Sequence, residues 1–183
     1  MKFIGLDLAG AYLIQPEPFS DNRGYFFRYF CKDEFTQIGH TQEWLQCNHS
    51  FTKAKGSIRG MHFQLPPYSE IKMVRCIAGQ VLDVIVDLRK DSPTFLKWIG
   101  VELSAANRNI LYIPEGFAHG FQTLTDDCEL LYHHTALYKP GAEGGLRFND
   151  PLLGINWPII PTVISDRDLN HSLLDNSFEG IKI

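Results

Sequence analysis

The stretch Gln80-Val81-Leu82-Asp83-Val84-Ile85-Val86-Asp87-Leu88 places Leu82, Val84, Val86 and Leu88 on one side and Val81, Asp83, Ile85 and Asp87 on the other. A period of two is the signature of a β-strand. Gly79 before it and Asp91-Ser92-Pro93 after it read as turns. Similar runs lie at Tyr25 to Phe30, Glu43 to Phe51, Ile71 to Ile77, Trp98 to Leu103, Asn109 to Ile113 and Glu129 to Tyr138. Only Lys32 to Ile38, closed by Gly39, reads as a helix, with Ser165-Asp166-Arg167-Asp168 as the start of a short final one. Many strands with almost no helix predict an all-β sandwich, jelly roll or barrel. The segment from Pro158 onward, with weaker periodicity, is expected to cross the barrel mouth.

The chain has 183 residues and no repeat, low-complexity run or linker, so residues 1–183 are read as one domain. A domain of this length buries roughly 70% of the surface its unfolded chain exposes. Hydrophobic residues make up 44% and charged residues 21%, which excludes disordered and collagen-like classes. The 13% of aromatic residues suits a pleated, half-buried surface. A net charge of −4 with pI near 5.9 excludes a general nucleic-acid binder, which needs a basic stripe. Cys31, Cys47, Cys76 and Cys128 are scattered without a C-x-x-C pair and read as reduced thiols. The first ten residues are too short in apolar run for a signal peptide, and no run reaches transmembrane length. A cytoplasmic protein without membrane contact is expected.

Several strands carry functional groups where a core would take apolar ones. In Glu43 to Phe51 one face holds Trp44, Gln46, Asn48 and Ser50, a pattern that a solvent-facing strand would share. In Arg59-Gly60-Met61-His62-Phe63-Gln64, His62 and Gln64 share a side. His62 suits a general base, although a lone histidine in a strand is more often structural. Lys72 has the parity of Val74 and Cys76 and points to the same cavity. His119, among the small residues of Pro114 to Phe121, reads as a residue of a tight connection. Leu130, Tyr132, His134, Ala136 and Tyr138 share a face, two phenols among them. A metal centre wants closely spaced ligands such as His-x-His. That spacing is absent, and the adjacent His133 and His134 face opposite ways, so no metal is expected.

Taken together, the motifs resemble those of the dTDP-4-dehydrorhamnose 3,5-epimerases. The match runs through Phe19 to Gly24, Gln46 to Ser50, Ile58 to Gln64, Lys72 to Cys76, Val86 to Arg89 with Ser92 to Phe95, Ile113 to Phe121, Asn149-Asp150-Pro151, Trp157-Pro158 and Ile164 to Asp168. The resemblance implies a cupin-type jelly roll, or double-stranded β-helix barrel, with short peripheral helices. It implies an isomerase that inverts C3, C5 or both in a nucleotide-diphosphate 4-keto-6-deoxyhexose, without metal or redox cofactor. By the same resemblance His62 is the base, Asp168 its partner, Tyr132 the acid on the opposite face of the sugar, and Lys72 the cation for the developing enolate. Arg23, Arg59 and His119 are implied at the diphosphate or sugar, Gln46, Asn48, Glu143 and Arg167 along the rest of the site, and Phe19 and Tyr138 around the base. The family is often a homodimer in which N-terminal strands pair across subunits.

Three positions depart from the family pattern. Arg28 stands where a glutamate is usual, Glu70 where glutamine is common, and Tyr132-His133-His134-Thr135 where Tyr-Lys-Thr-Thr is frequent. Arginine donates and cannot accept, so Arg28 at the base pocket would suit cytosine better than thymine. This raises a CDP-linked substrate as an alternative, against which stands an Arg28 that swings to solvent or joins Arg23. A sugar-nucleotide binding protein without turnover is a further alternative, disfavoured by the intact acid–base set.

Overall fold

The computed structural model describes residues 1–183. Thirteen strands follow in chain order: β1 (Lys2–Gly5), β2 (Tyr12–Gln15), β3 (Phe19–Asp21), β4 (Gly24–Phe26), β5 (Gln46–Thr52), β6 (Ile58–Gln64), β7 (Lys72–Ala78), β8 (Gln80–Asp87), β9 (Trp98–Ser104), β10 (Ile110–Ile113), β11 (Phe117–Thr123), β12 (Cys128–His134) and β13 (Glu143–Gly145). Two short helices are α1 (Lys32–Phe35), continued by a 3-10 turn over Thr36–Ile38, and α2 (Asp166–Leu169). No helix is long and apolar enough to cross a membrane.

Two antiparallel sheets face each other, one ordered β1-β2-β10-β7-β12-β5 and the other β13-β6-β11-β8-β9, with β3-β4 a separate hairpin. This is the cupin-type jelly roll. Between the sheets, Val74, Cys76, Leu111 and Leu130 meet Val81, Ile85, Leu103, Phe117 and Phe121. The strand that opened the reading, β8, is buried on both faces: Val81 and Ile85 point into this core, while Val84, Val86 and Leu88 pack outward against Met61, Leu146, Leu153 and Ile181. The second layer exists because the C-terminal segment wraps the outer face, with Trp157, Leu174 and Phe178 joining it. Ile14, Phe35, Met73, Ile110 and Tyr112 form a third cluster on the outer face of the other sheet.

Along the inner face the side chains change from apolar to polar toward one end. On β7 the series is Cys76, Val74, Lys72; on β12 it is Leu130, Tyr132, His134; the register pairs these residues directly. The polar end is the mouth.

Four expectations need correction. The run from Tyr25 stops at Phe26, because residues 24–26 pair only with β3 in a hairpin outside both large sheets. The helix over Lys32 to Ile38 is one α-turn followed by a 3-10 turn. Residues 117–123 are no tight connection: they form β11, buried throughout and central in its sheet. Their small residues are there for close approach. A Cβ on Gly120 would lie 2.7 Å from the Arg59 carbonyl, and one on Gly60, at φ +122°, would lie 2.6 Å from the Gly120 Cα. The C-terminal segment crosses the mouth only over residues 163–168, where Ile164 bridges Ile58; Leu174, Phe178 and Ile181 beyond it pack on the outer face.

Candidate active site

The polar mouth opens into a cavity of about 790 Å³ lined by Asn48, Ser50, Arg59, His62, Lys72, His119, Tyr132, His134, Arg167 and Asp168, among others. A smaller recess shares Asn48, His62, Lys72, His134 and Arg167 and adds Gln46, Glu70, Tyr138 and Glu143. The larger space is of the size that takes a small-molecule ligand.

His62 comes from β6 and Asp168 from α2, 106 residues later. The ring Nε2 and the carboxylate Oδ1 lie 2.7 Å apart, and the carboxylate is buried while the ring stays partly open. The Gly60 N–H donates to Asp168 Oδ2 at 3.2 Å, and Ser165 caps α2 by accepting from the Asp168 N–H at 3.1 Å. Burial alone would raise the Asp168 carboxyl. The hydrogen bond and charge of His62, with the Gly60 and Ser165 bonds, outweigh it and hold the group below its ordinary value. A carboxylate so held orients the imidazole. His62 Nδ1 is left without a protein partner.

Tyr132 approaches from the facing sheet, its hydroxyl 3.0 Å from Ser50 Oγ. Burial pushes the phenol well above its usual value, against a smaller opposing effect of the Ser50 bond. It therefore stays protonated through neutral pH. Lys72, buried beside it on β7, has its ammonium 3.1 Å from Glu70 Oε1. His119, opposite His62 in the β6–β11 register, pairs through Nε2 with Asp83 Oδ1 at 2.9 Å, both buried. Arg59 is braced by Thr52 Oγ1 and the Phe51 carbonyl at 2.9 and 3.0 Å. Arg167 reaches Glu143 at 2.9 Å, and the Glu143 hydrogen bond raises the exposed Tyr138 phenol.

The structure thus brings eleven of the fourteen sequence-predicted residues to one connected cavity: His62, Lys72, Tyr132, Asp168, Arg59, His119, Asn48, Arg167, Gln46, Tyr138 and Glu143. Phe19, Arg23 and Arg28 do not line it. All three lie in or beside the projecting β3-β4 hairpin, where Phe19 is 78% exposed, Arg23 pairs with Asp21 at 2.6 Å and Arg28 with Glu34 at 2.6 Å.

Sequence reasoning missed Asp83 and His171. Asp83 had a usable signal: it is a carboxylate at an inward position between Val81 and Ile85, and a buried charge requires a partner. His171 had none, since it lies in an aperiodic segment. Its ring sits over Gly145, where any Cβ would collide, and stands edge-on to His62 at 6.0 Å. His62, Asp168 and His171 hold three ligand-type atoms within 4.8 Å of one another, a grouping that motif spacing could not reveal. Ligands on a zinc tetrahedron stand roughly 3.3 Å apart. The 2.7 Å His62–Asp168 contact is instead that of a hydrogen-bonded pair, which an ion would have to part.

A histidine–carboxylate pair on one side, a buried phenol and a lysine from the facing sheet, and arginines at the rim thus look into one cavity. The family model for dTDP-4-dehydrorhamnose 3,5-epimerase matches residues 5–176. The dTDP-4-dehydrorhamnose 3,5-epimerase of Shigella flexneri is 43% identical over 171 residues, covering 93% of this chain and 94% of that one. The Bacillus anthracis enzyme of the same name, solved with TDP and pyrophosphate bound, superposes with a TM-score of 0.91 at 40% identity, covering 94% of this chain and 99% of its own. The Legionella pneumophila dTDP-6-deoxy-D-glucose-3,5-epimerase, solved with dTDP-4-keto-L-rhamnose, gives 0.92 at 34% identity over 100% of this chain and 98% of its own. With sequence, fold and site in agreement over nearly the whole length, the chain belongs to the dTDP-4-dehydrorhamnose 3,5-epimerase family.

Proposed function

We propose that this chain is an isomerase that inverts carbon centres flanking the ketone of a dTDP-linked 4-keto-6-deoxyhexose in deoxysugar biosynthesis, with His62, Tyr132, Lys72 and Asp168 carrying the reaction. The observation that supports this most is that the His62–Asp168 pair and the buried Tyr132 phenol come from facing sheets across one cavity. His62 Nδ1 takes the proton from the carbon beside the ketone, and the C–H electron pair moves into an enolate. The Lys72 ammonium stabilises the charge arriving on the carbonyl oxygen. Tyr132 returns a proton to the opposite face, the ketone reforms, and both groups re-equilibrate with water. Positioned acid–base groups contribute about 10²–10⁴-fold in rate, so stabilisation of the enolate must carry a comparable share. A protein that only bound the sugar nucleotide would need no acid and base on opposing walls.

Arg28 is engaged by Glu34 within its own chain, which removes support from a cytidine-linked substrate, because that reading needs a free guanidinium at the base edge. The hairpin supports a homodimer. Phe19 and Phe26 are 78% and 74% exposed, and Tyr25 and Arg23 project with them. A hairpin that carries ligand-type residues away from its own cavity is suited to complete the cavity of a second copy. Four unpaired thiols support a reducing compartment, the cytoplasm.

The deciding experiment incubates the protein with dTDP-4-keto-6-deoxyglucose in deuterated water and locates label at C3 and C5 by NMR. Wild type should incorporate deuterium with inversion, and His62→Asn, still folded, should incorporate none. Exchange at the wild-type rate in His62→Asn would refute the assignment of the base.

A further inference from the structure

The departures Glu70 and His134 lie far apart in sequence, yet they touch. His134 Nδ1 is 2.9 Å from Glu70 Oε2, and both side chains are about nine-tenths buried. The cause is register: β12 sets His134 directly opposite Lys72 on β7 and opposite Gln46 on β5. Glu70 spans the pair, with its other oxygen on the Lys72 ammonium at 3.1 Å.

The chain of bonds has a sense that its first step decides. The Tyr138 backbone N–H donates to Gln46 Oε1 at 3.0 Å, so Gln46 turns its amide nitrogen to Asn48 Oδ1 at 3.2 Å. That orients the Asn48 amide nitrogen toward His134 Nε2 at 3.3 Å. An amide nitrogen only donates, so Nε2 must accept. The proton of a neutral His134 then sits on Nδ1 and is donated to Glu70. The Tyr138 N–H, Gln46, Asn48 and His134 thus form one directed line of donors that ends on the Glu70 carboxylate, whose other oxygen accepts from the Lys72 ammonium.

We propose that Glu70 and His134 are positioning residues for Lys72, with Asn48 and Gln46 forming an ordered relay that holds the ammonium in place and sets His134 in its Nδ1–H tautomer. The proposal rests on the reading of Lys72 as the group that stabilises the enolate. The bond from His134 and the charge of Lys72 outweigh the burial of Glu70 and hold its carboxyl below the ordinary value, so the anchor is charged at neutral pH. Besides Glu70 and Lys72, the ionisable groups near His134 are Tyr132 on its own strand with rings 6.3 Å apart, His62 on β6, Glu143 on β13, Tyr138 after β12, Arg167 on α2, and His133 on the opposite sheet face. Only Glu70 takes its Nδ1.

The relay makes Glu70 and His134 a unit, because once Glu70 is gone His134 has no carboxylate through which to act on Lys72. Glu70→Gln and His134→Thr should each lower kcat about tenfold or more with little change in KM, and the double variant should lose no more than Glu70→Gln alone. Glu70→Gln also strips the buried ammonium of its counter-charge, so the alkaline limb of the kcat/KM profile should move down by about one pH unit or more. His134→Thr should leave that limb in place. In wild-type protein, long-range ¹H–¹⁵N NMR at neutral pH should show His134 with Nδ1 protonated and Nε2 bare. A protonated Nε2, or losses that simply multiply in the double variant, would overturn the relay. Lys72→Met separates this from the functional reading: full activity in that variant would remove Lys72 from the reaction, while the tautomer measurement tests the relay without reference to turnover.

Discussion

In the proposed mechanism Tyr132 acts as a protonated phenol, because burial disfavours its phenolate. Its nearest polar neighbour, Ser50, neither supplies nor removes charge. Tyr132→Phe should therefore keep proton removal by His62 while losing delivery to the opposite face. The expected signature is residual deuterium exchange with inversion slowed about 10²-fold or more, read by NMR on the isolated product. Wild-type inversion in this variant would withdraw the role of acid. His62, Lys72 and Tyr132 were legible in the sequence as polar groups at inward strand positions, since side-chain parity follows directly from the strand period. His119 was legible as a residue and misread as to setting. The glycines around it that suggest a turn serve to let β11 and β6 approach closely. Asp168 came only from the resemblance, because no local pattern links it to a base 106 residues away.

At the scale of elements, the four-residue helix α2 matters for the one carboxylate it presents. Ser165→Ala removes the cap on the Asp168 N–H and should cost about 1 kcal/mol of stability. It should also lower kcat more than KM, because the carboxylate that orients His62 loses a support. An unchanged kcat would show that the Gly60 N–H and His62 suffice to hold it. The end of β8 is clamped differently. Asp87 is fully buried and accepts from Arg89 Nη2 at 2.7 Å and from the Ser92 and Thr94 hydroxyls at 2.6 Å. Burial would raise its carboxyl, but these bonds outweigh it and hold the group below its ordinary value. A folded value below the unfolded one gives stability that is present above the unfolded value, near pH 3.9, and lost as pH falls through the folded value. Asp87→Asn should cost about 3 kcal/mol at pH 7, with the gap to wild type narrowing below about pH 4. Denaturant titrations at the two pH values would read this directly, and a gap independent of pH would contradict it.

For the molecule as a whole, the hairpin poses a question of assembly. If it completes the cavity of a second copy, two inactive variants should rescue each other. In a heterodimer of His62→Asn with Arg23→Ala, the site that keeps His62 receives an intact hairpin. Refolding the two together in equal amounts should restore about a quarter of wild-type activity, since about half the dimers are mixed and each has one good site. No recovery would place the hairpin in its own cavity. The sequence by itself determined the all-β class and the inward side of nearly every strand that lines the site, because a period of two and its turn residues are local properties. It also carried the family, through motifs written in contiguous residues. Only the tertiary structure decided which polar groups are neighbours: His62 with Asp168, His119 with Asp83, and Lys72 with Glu70 and His134. Such pairs depend on strand order, register and the path of the C-terminal segment. These follow from how the whole chain buries its apolar faces at once, which no local stretch of sequence specifies.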